Sequence, residues 1–265
     1  FWNSHIAAIQ LMKLNIPNPH SHKGQNGKLL LIGGSELFHA ASLWSLTVAS
    51  RIVDLVHYAS VPENNEIVQK AKEEFINGIV IRRNDIHEYI KEDDVILIGP
   101  GMERTKETEE LTNTLVTHYP DKQWVIDAGA LQMINPNNIP KNAILTPHHQ
   151  EFERLFGQAN ATDIAKQYHC IILLKGPIDS ITNGDKVEEV HGGNAGMTKG
   201  GTGDVLAGLV AALACTNDPF SSAIWGSKIN KAAGDELYKT VGPFFNATDL
   251  ANQIPKTMKK LLIGA

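Results

Sequence analysis

His191-Gly192-Gly193-Asn194-Ala195-Gly196-Met197-Thr198-Lys199-Gly200-Gly201-Thr202-Gly203-Asp204 runs directly into Val205-Leu206-Ala207-Gly208-Leu209-Val210-Ala211-Ala212-Leu213. Six glycines in fourteen residues, then apolar residues at helical spacing, describe a loop feeding the first turn of a buried helix. Glycine lets such a loop take positive φ and approach a ligand closely. The helix start leaves N–H groups unpaired and partly positive, which welcomes an anion. Asp204 falls at that tip, where its carboxylate serves either as a cap or as a group facing a ligand. A capped surface turn uses the same residue types, and short motifs recur by chance. The length of the run, its Lys199 and its terminal acid favour a phosphate cradle with a carboxylate aimed at the transferred group.

Upstream, Leu29-Leu30-Leu31-Ile32, Val95-Ile96-Leu97-Ile98 and the run 171–174 are continuously apolar, as in strands covered on both faces. Further strands are expected at 55–60, 124–126 and 143–145. Ser180-Ile181-Thr182 and the run 187–191 flank Asn183-Gly184-Asp185, a hairpin whose Asn-Gly pair suits a type I′ turn. Helices are expected over 1–12, 40–52, 63–75, 106–118, 204–215, 219–238 and 247–262. This alternation predicts an α/β fold with a largely parallel sheet, helices on both faces and a short hairpin. No linker or internal repeat divides the chain, so one domain is expected over residues 1–265.

The strands end on groups suited to ligands: Gly33-Gly34-Ser35, Gly99-Pro100-Gly101, Asp127, Thr146-Pro147-His148 and Lys175-Gly176. Each taken singly is explained by a cap or tight turn. Taken together they predict a site, because ligands of open parallel sheets bind beyond the carboxyl ends of the strands.

Apolar residues at 42% and charged residues at 20% describe an ordinary globular chain. A net charge of −5 argues against a general nucleic-acid or membrane-surface role. No signal peptide and no run of 18 apolar residues appear, and a cytoplasmic location is expected. Cys170 and Cys215 sit in apolar surroundings and read as core thiols of a reducing compartment. No C-x-x-C or H-E-x-x-H spacing occurs, so a zinc site is not expected.

The run from Asn194 to Gly208 resembles the signature of the NAD(P)H-hydrate dehydratases of the ribokinase-like superfamily. Other landmarks of that family follow in order: His22-Lys23-Gly24, Gly33-Gly34-Ser35, Gly99-Pro100-Gly101, Asp127-Ala128, Thr146-Pro147-His148 with Glu151, and Lys175-Gly176. The resemblance implies repair of hydrated NADH or NADPH, which carries a C6 hydroxyl, at the expense of ADP or ATP with magnesium. It places Ala41, Gly101, His148 and Asp204 at the hydrated coenzyme, with Asp204 as catalytic base. It places Lys175, Gly176, Pro177, Ile178, Asp179 and Gly203 at the adenine nucleotide, with backbone groups of Gly200, Gly201 and Thr202 at the transferring phosphoryl. Glu151 is the candidate for a water-mediated magnesium contact, or else a first-turn Glu favoured by the helix dipole. Members are commonly tetrameric, so a homo-tetramer is the implied assembly, and no companion epimerase domain is expected in this chain.

Ala40, Gly129 and Asp179 depart from the family pattern, which has Gly, Asp and Thr there. The departures imply a shifted turn after Ser35, a lost polar contact at 129, and doubt over the nucleotide contact at 179. Two other readings stay open. One is a ribokinase-like kinase of a small vitamin precursor; the other is a nucleotide-binding protein without turnover.

Overall fold

The structure, a computed structural model, describes residues 14–71 and 77–264. The helix expected over 1–12, and the end of that expected over 63–75, lie outside these residues. In chain order the elements are β1 (Lys28–Ile32), α1 (His39–Ala49), β2 (Leu55–Ala59), α2 (Pro62–Ala71), β3 (Ile79–Ile81) and α3 (Ile86–Glu92). Next come β4 (Val95–Ile98), α4 (Lys106–His118), β5 (Gln123–Ile126), α5 (Ala128–Met133), β6 (Ile144–Leu145), α6 (His149–Phe156) and α7 (Ala161–Tyr168). The chain closes with β7 (Ile171–Leu174), β8 (Asp179–Thr182), β9 (Val187–Val190), α8 (Thr202–Ala214), α9 (Pro219–Val241) and α10 (Ala247–Met258).

The strands form one sheet in the order β3-β2-β1-β4-β5-β6-β7-β8-β9. Every pairing from β3 to β7 is parallel, and the hairpin β8–β9 adds an antiparallel edge to β7. The expected α/β architecture is therefore the observed one. Period-two alternation sends Leu29, Leu31 and Leu97 to one face, against α1, α8 and α9. Leu30, Ile32, Ile96 and Ile98 pack on the other face, against α3, α4, α5 and α7. Both faces are covered, which is why these strands are apolar at every position. A third apolar cluster joins α8, α9 and α10 through Val205, Leu209, Ile229 and Ile254.

Four details differ from expectation. α1 ends at Ala49, and the chain continues in short turns in which Arg51 N bonds Val48 O and Ile52 N bonds Ala49 O. The hairpin does not use a type I′ turn: Gly184 has φ +91°, but Asn183 does not share a positive φ. Instead the Asn183 Oδ1 accepts the N–H groups of Asp185 and Lys186, so its side chain holds the turn. β3, α3, α5 and α7 went unread, being short or charged along most of their length, and α6 was anticipated only through Glu151 as a first-turn residue. The last helix gives way at Lys259–Ile263 to a π-helical turn after Pro255, which lacks an N–H for the regular ladder.

The sheet order reverses between β1 and β4, the position at which ligands of such sheets bind. There the strand tips touch: Gly34 N donates to Pro100 O at 2.7 Å, and Asp127 N to Ile98 O at 3.1 Å. Further along the same edge, Lys175 N donates to Pro147 O at 2.8 Å.

Candidate active site

α8 begins without a side-chain cap. Its N-cap, Gly201, has φ +96°, and Asp204 is the third helical residue with a carboxylate that caps nothing. The N–H groups of Gly203 and Asp204 have no backbone acceptor among the described residues; that of Asp204 faces its own carboxylate, and that of Gly203 is left to a ligand. Thr202 fixes the approach: its hydroxyl donates to Met197 O at 2.7 Å and Lys199 O at 2.9 Å. Gly201 has no room for a side chain, because a Cβ would run into the Trp44 ring and come 2.7 Å from Ala247 Cβ. Gly201→Ala combines left-handed strain with overpacking and should cost about 3 kcal/mol. Scanning calorimetry should read this as a fall of about 8 °C in Tm, with partial recovery when Trp44 is also reduced to Leu.

Asp204 lies among charges. Burial pushes its carboxyl up to about 7, the carboxylates of Asp127 and Glu151 add to the rise, and Lys175 opposes it. No other residue donates a hydrogen bond to this carboxylate among the described residues. Its backbone is held instead, the Asp204 carbonyl accepting from Ser45 Oγ of α1 at 2.7 Å.

Lys175, at the end of β7, reaches back to the same point. Its Nζ lies 3.0 Å from Asp127 Oδ1 and 4.0 Å from Glu151 Oε2. A Cβ placed on Gly203 would be 3.5 Å from that Nζ, so lysine and helix tip are neighbours. Burial alone would lower the Lys175 pKa, but the carboxylates of Asp127 and Glu151 outweigh it and the net shift is upward. Asp127 Oδ1 also accepts from Thr146 Oγ1 at 2.8 Å.

Glu151 sits in a reciprocal cap at the start of α6. Its Oε2 accepts from His148 N at 2.9 Å, and its own N–H donates to His148 Nδ1 at 3.2 Å. Its Oε1 accepts from Gln132 Nε2 at 3.1 Å. Both carboxylate oxygens thus have structural duties. Among the described residues no cluster of three His, Cys, Asp or Glu side chains is arranged to hold a metal ion.

A cavity of about 580 Å³ opens beside the tip, lined by His148, Lys175, Gly176, Pro177, Asp179, Thr202 and Gly203 among others. Seven of the residues anticipated from the sequence therefore share one chamber. Ala41 and Gly101 come together elsewhere, on the α1 side of Asp204. A Cβ on Gly101, whose φ is +74°, would lie 3.1 Å from that of Ala41. His148, assigned by resemblance to the coenzyme side, lines that same cavity. Ile178 is half exposed, Gly200 is open to space, and Gly201 is sealed by Trp44.

Other residues behave differently from their sequence reading. Lys199 does not face the cradle: its Nζ donates to Pro243 O and Phe245 O and lies 5.3 Å from the Phe245 ring. It pins the loop before α10. Ala40 is exposed in the first turn of α1, and the preceding turn is closed by Phe38 N donating to Ser35 Oγ at 3.1 Å. Gly129 replaces an acid for a steric reason, since any Cβ there would overlap the Met102 carbonyl. The Asp179 carboxylate is engaged by Gly176 N, at 2.9 Å, and by Ser227 Oγ, at 2.7 Å. Ser227, Asn230 and Lys231 of α9 were missed altogether. Polar side chains buried along an otherwise amphipathic helix were their signal, and Asn230 leaves Oδ1 without a partner.

Comparison with known proteins agrees with this geometry. The chain is 39% identical over 94% of its length to a bifunctional NAD(P)H-hydrate repair enzyme, Nnr, of Methanocaldococcus jannaschii. It spans about half of that relative, 51%, and similar shares of the other bifunctional enzymes it resembles. A shorter relative, an ADP-dependent (S)-NAD(P)H-hydrate dehydratase of Cenarchaeum symbiosum, is 33% identical over 90% of this chain and 91% of its own. The crystal structure of an ADP/ATP-dependent NAD(P)H-hydrate dehydratase from Bacillus subtilis, co-crystallised with ATP and Mg2+, superposes with a TM-score of 0.80. That likeness has 25% identity and covers 96% of each chain. A family profile described as NAD(P)H-hydrate dehydratase matches residues 29–256, which include every strand from β2 onward and the whole of α8. With the profile covering the helix tip and all the strand ends around it, the chain belongs to the NAD(P)H-hydrate dehydratase family.

Proposed function

We propose that the protein restores hydrated NADH or NADPH, in the (S) form, to the intact coenzyme at the expense of ADP or ATP. The observation that carries this reading is Asp204. Among the described residues no other residue donates to its carboxylate, burial pushes that carboxyl up to about 7, and it stands at a helix tip whose first N–H groups have no backbone acceptor.

The chemistry follows from those groups. Hydroxide leaves poorly, whereas phosphate leaves well, so the C6 hydroxyl is first phosphorylated. Asp204 takes the hydroxyl proton as the oxygen attacks the terminal phosphoryl of the nucleotide. The Gly203 N–H at the helix tip and the Lys175 ammonium stabilise the charge on the transferring group. The ring nitrogen's lone pair then expels phosphate, and loss of the C5 proton restores the dihydronicotinamide. Positioning and electrostatics supply most of the acceleration, as in phosphoryl transfer generally.

The carboxylates of Asp127, Glu151 and Asp204 outnumber Lys175, so a divalent cation arriving with the nucleotide would offset their charge. Glu151 fits such an ion through a bridging water, because direct ligation would break its cap with His148. Magnesium, so held, would neutralise phosphate charge. The two free thiols, Cys170 and Cys215, suit a reducing compartment, consistent with work in the cytoplasm.

Mixing the protein with hydrated NADH, magnesium and ADP or ATP should restore absorbance at 340 nm, with one free phosphate released per coenzyme. Release of a stable phosphorylated product instead would mark a small-molecule kinase. Nucleotide binding without any turnover would reject both enzymes.

A further inference from the structure

Ser227, Lys231 and Asp235 recur every four residues along α9 and so line one face of it. Ser227 and Lys231 are buried, and the reaction described above uses neither. Their contacts converge on the cavity walls. Ser227 Oγ donates to Asp179 Oδ2 at 2.7 Å. Lys231 Nζ donates to Gly176 O at 3.0 Å, Pro177 O at 3.0 Å and Gly192 O at 3.2 Å, and lies 3.4 Å from Asp179 Oδ1. Asp235 accepts from Gly193 N at 3.0 Å and Asn194 Nδ2 at 3.1 Å. The segments 176–179 and 192–194, two walls of the chamber, are thereby tied to one helix and through it to each other.

A lysine in a nucleotide cavity is ordinarily a phosphate ligand. Here an ammonium with three donors has all three taken by carbonyl oxygens, and Asp179 beside it compensates the charge. That arrangement is what makes a buried ammonium tolerable, and it leaves no donor for a phosphate. We propose that Lys231, with Asp179, is a positioning residue: it holds the chamber in its binding shape before the nucleotide arrives. The inference rests on reading that chamber as the adenine-nucleotide site. Walls fixed in advance reduce the ordering that binding must impose, and the benefit is the same for every adenine nucleotide.

Lys231→Met keeps most of the aliphatic stem and removes the ammonium. Calorimetric titration with AMP, ADP and ATP should show Kd raised by a common factor of about tenfold, as expected for lost hydrogen bonds to a charged group. At saturating ADP, kcat and the KM for hydrated coenzyme should stay within about twofold of the unaltered enzyme, since neither Asp204 nor Lys175 is touched. A loss that grows from AMP to ATP would make Lys231 a phosphate ligand and overturn the proposal. Unchanged affinities would overturn it as well. Should Lys231→Met fail to fold, Ser227→Ala removes one tie to Asp179 and should raise all three Kd values by about threefold; no rise would reject the strut. Titration needs no turnover. A protein that binds these nucleotides but never restores the coenzyme therefore refutes the dehydratase reading without touching this one.

Discussion

Asp204→Asn is expected to lower kcat/KM for hydrated coenzyme by about 10³-fold, the usual contribution of a positioned general base. Nucleotide affinity should survive, because the side chain holds no wall of the chamber in place. The native enzyme's kcat/KM should rise with pH through an apparent pKa near the 7 expected for this buried carboxyl, and the Asn variant should lose that dependence. Stability should move the opposite way. A carboxyl raised from 3.8 in the unfolded chain to about 7 in the folded one favours the native state fully only below pH 4. That contribution is lost as pH rises through 7. The Asn variant, which never ionises, should therefore melt higher at pH 8, by about 5 °C, and the gain should vanish near pH 4. Full turnover by Asp204→Asn, or a lower Tm at pH 8, would remove Asp204 from this role.

Lys175→Met should produce a large loss of stability and change the titration of the site as well. It strips Asp127, whose side chain is 3% exposed, of the cation paired with it and leaves Glu151 and Asp204 facing it. Breaking a buried pair costs roughly 3–5 kcal/mol; the lysine is 20% exposed, so about 3 kcal/mol is expected. The Lys175 pKa is raised, so its stabilisation is complete below 10.5 and disappears only as pH climbs above that value. Chemical denaturation at pH 8 should thus reveal the whole penalty. The same change removes the charge that holds the Asp204 carboxyl down. The pH profile of any residual activity should shift to higher pH, beyond the native value. An unshifted profile would separate Lys175 from the base.

How readily each feature could be read follows from the range of its physics. β1, β4 and β7 were visible because burial on both faces demands unbroken apolar runs. α4 was read to the residue, since Thr105 caps it and Pro120 follows the Tyr119 that closes it. α7 was not, and α6 only at its start through Glu151, because eight residues, many of them charged or polar, give little period to count. The strand-end groups were legible as a set, since parallel topology sends every carboxyl end to the same edge. Lys199 misled for the converse reason. A lysine's local sequence does not reveal which way four flexible carbons turn, and the loop 243–245, over forty residues away, captured this one.

What the sequence by itself determined is whatever depends on near neighbours and period: the strand–helix alternation, the glycine approach to α8, and an acid in its first turn. Whether that acid caps the helix was decided only by folding, and it does not. The tertiary structure buried Asp204 and set beside it Asp127 from the end of β5 and Glu151 from the start of α6, which together raise its pKa against the opposing Lys175 at the end of β7. It likewise spent Lys231 on carbonyls from segments 39 and 55 residues away. Solvation and charge depend on distance through space, and only the packed sheet sets those distances.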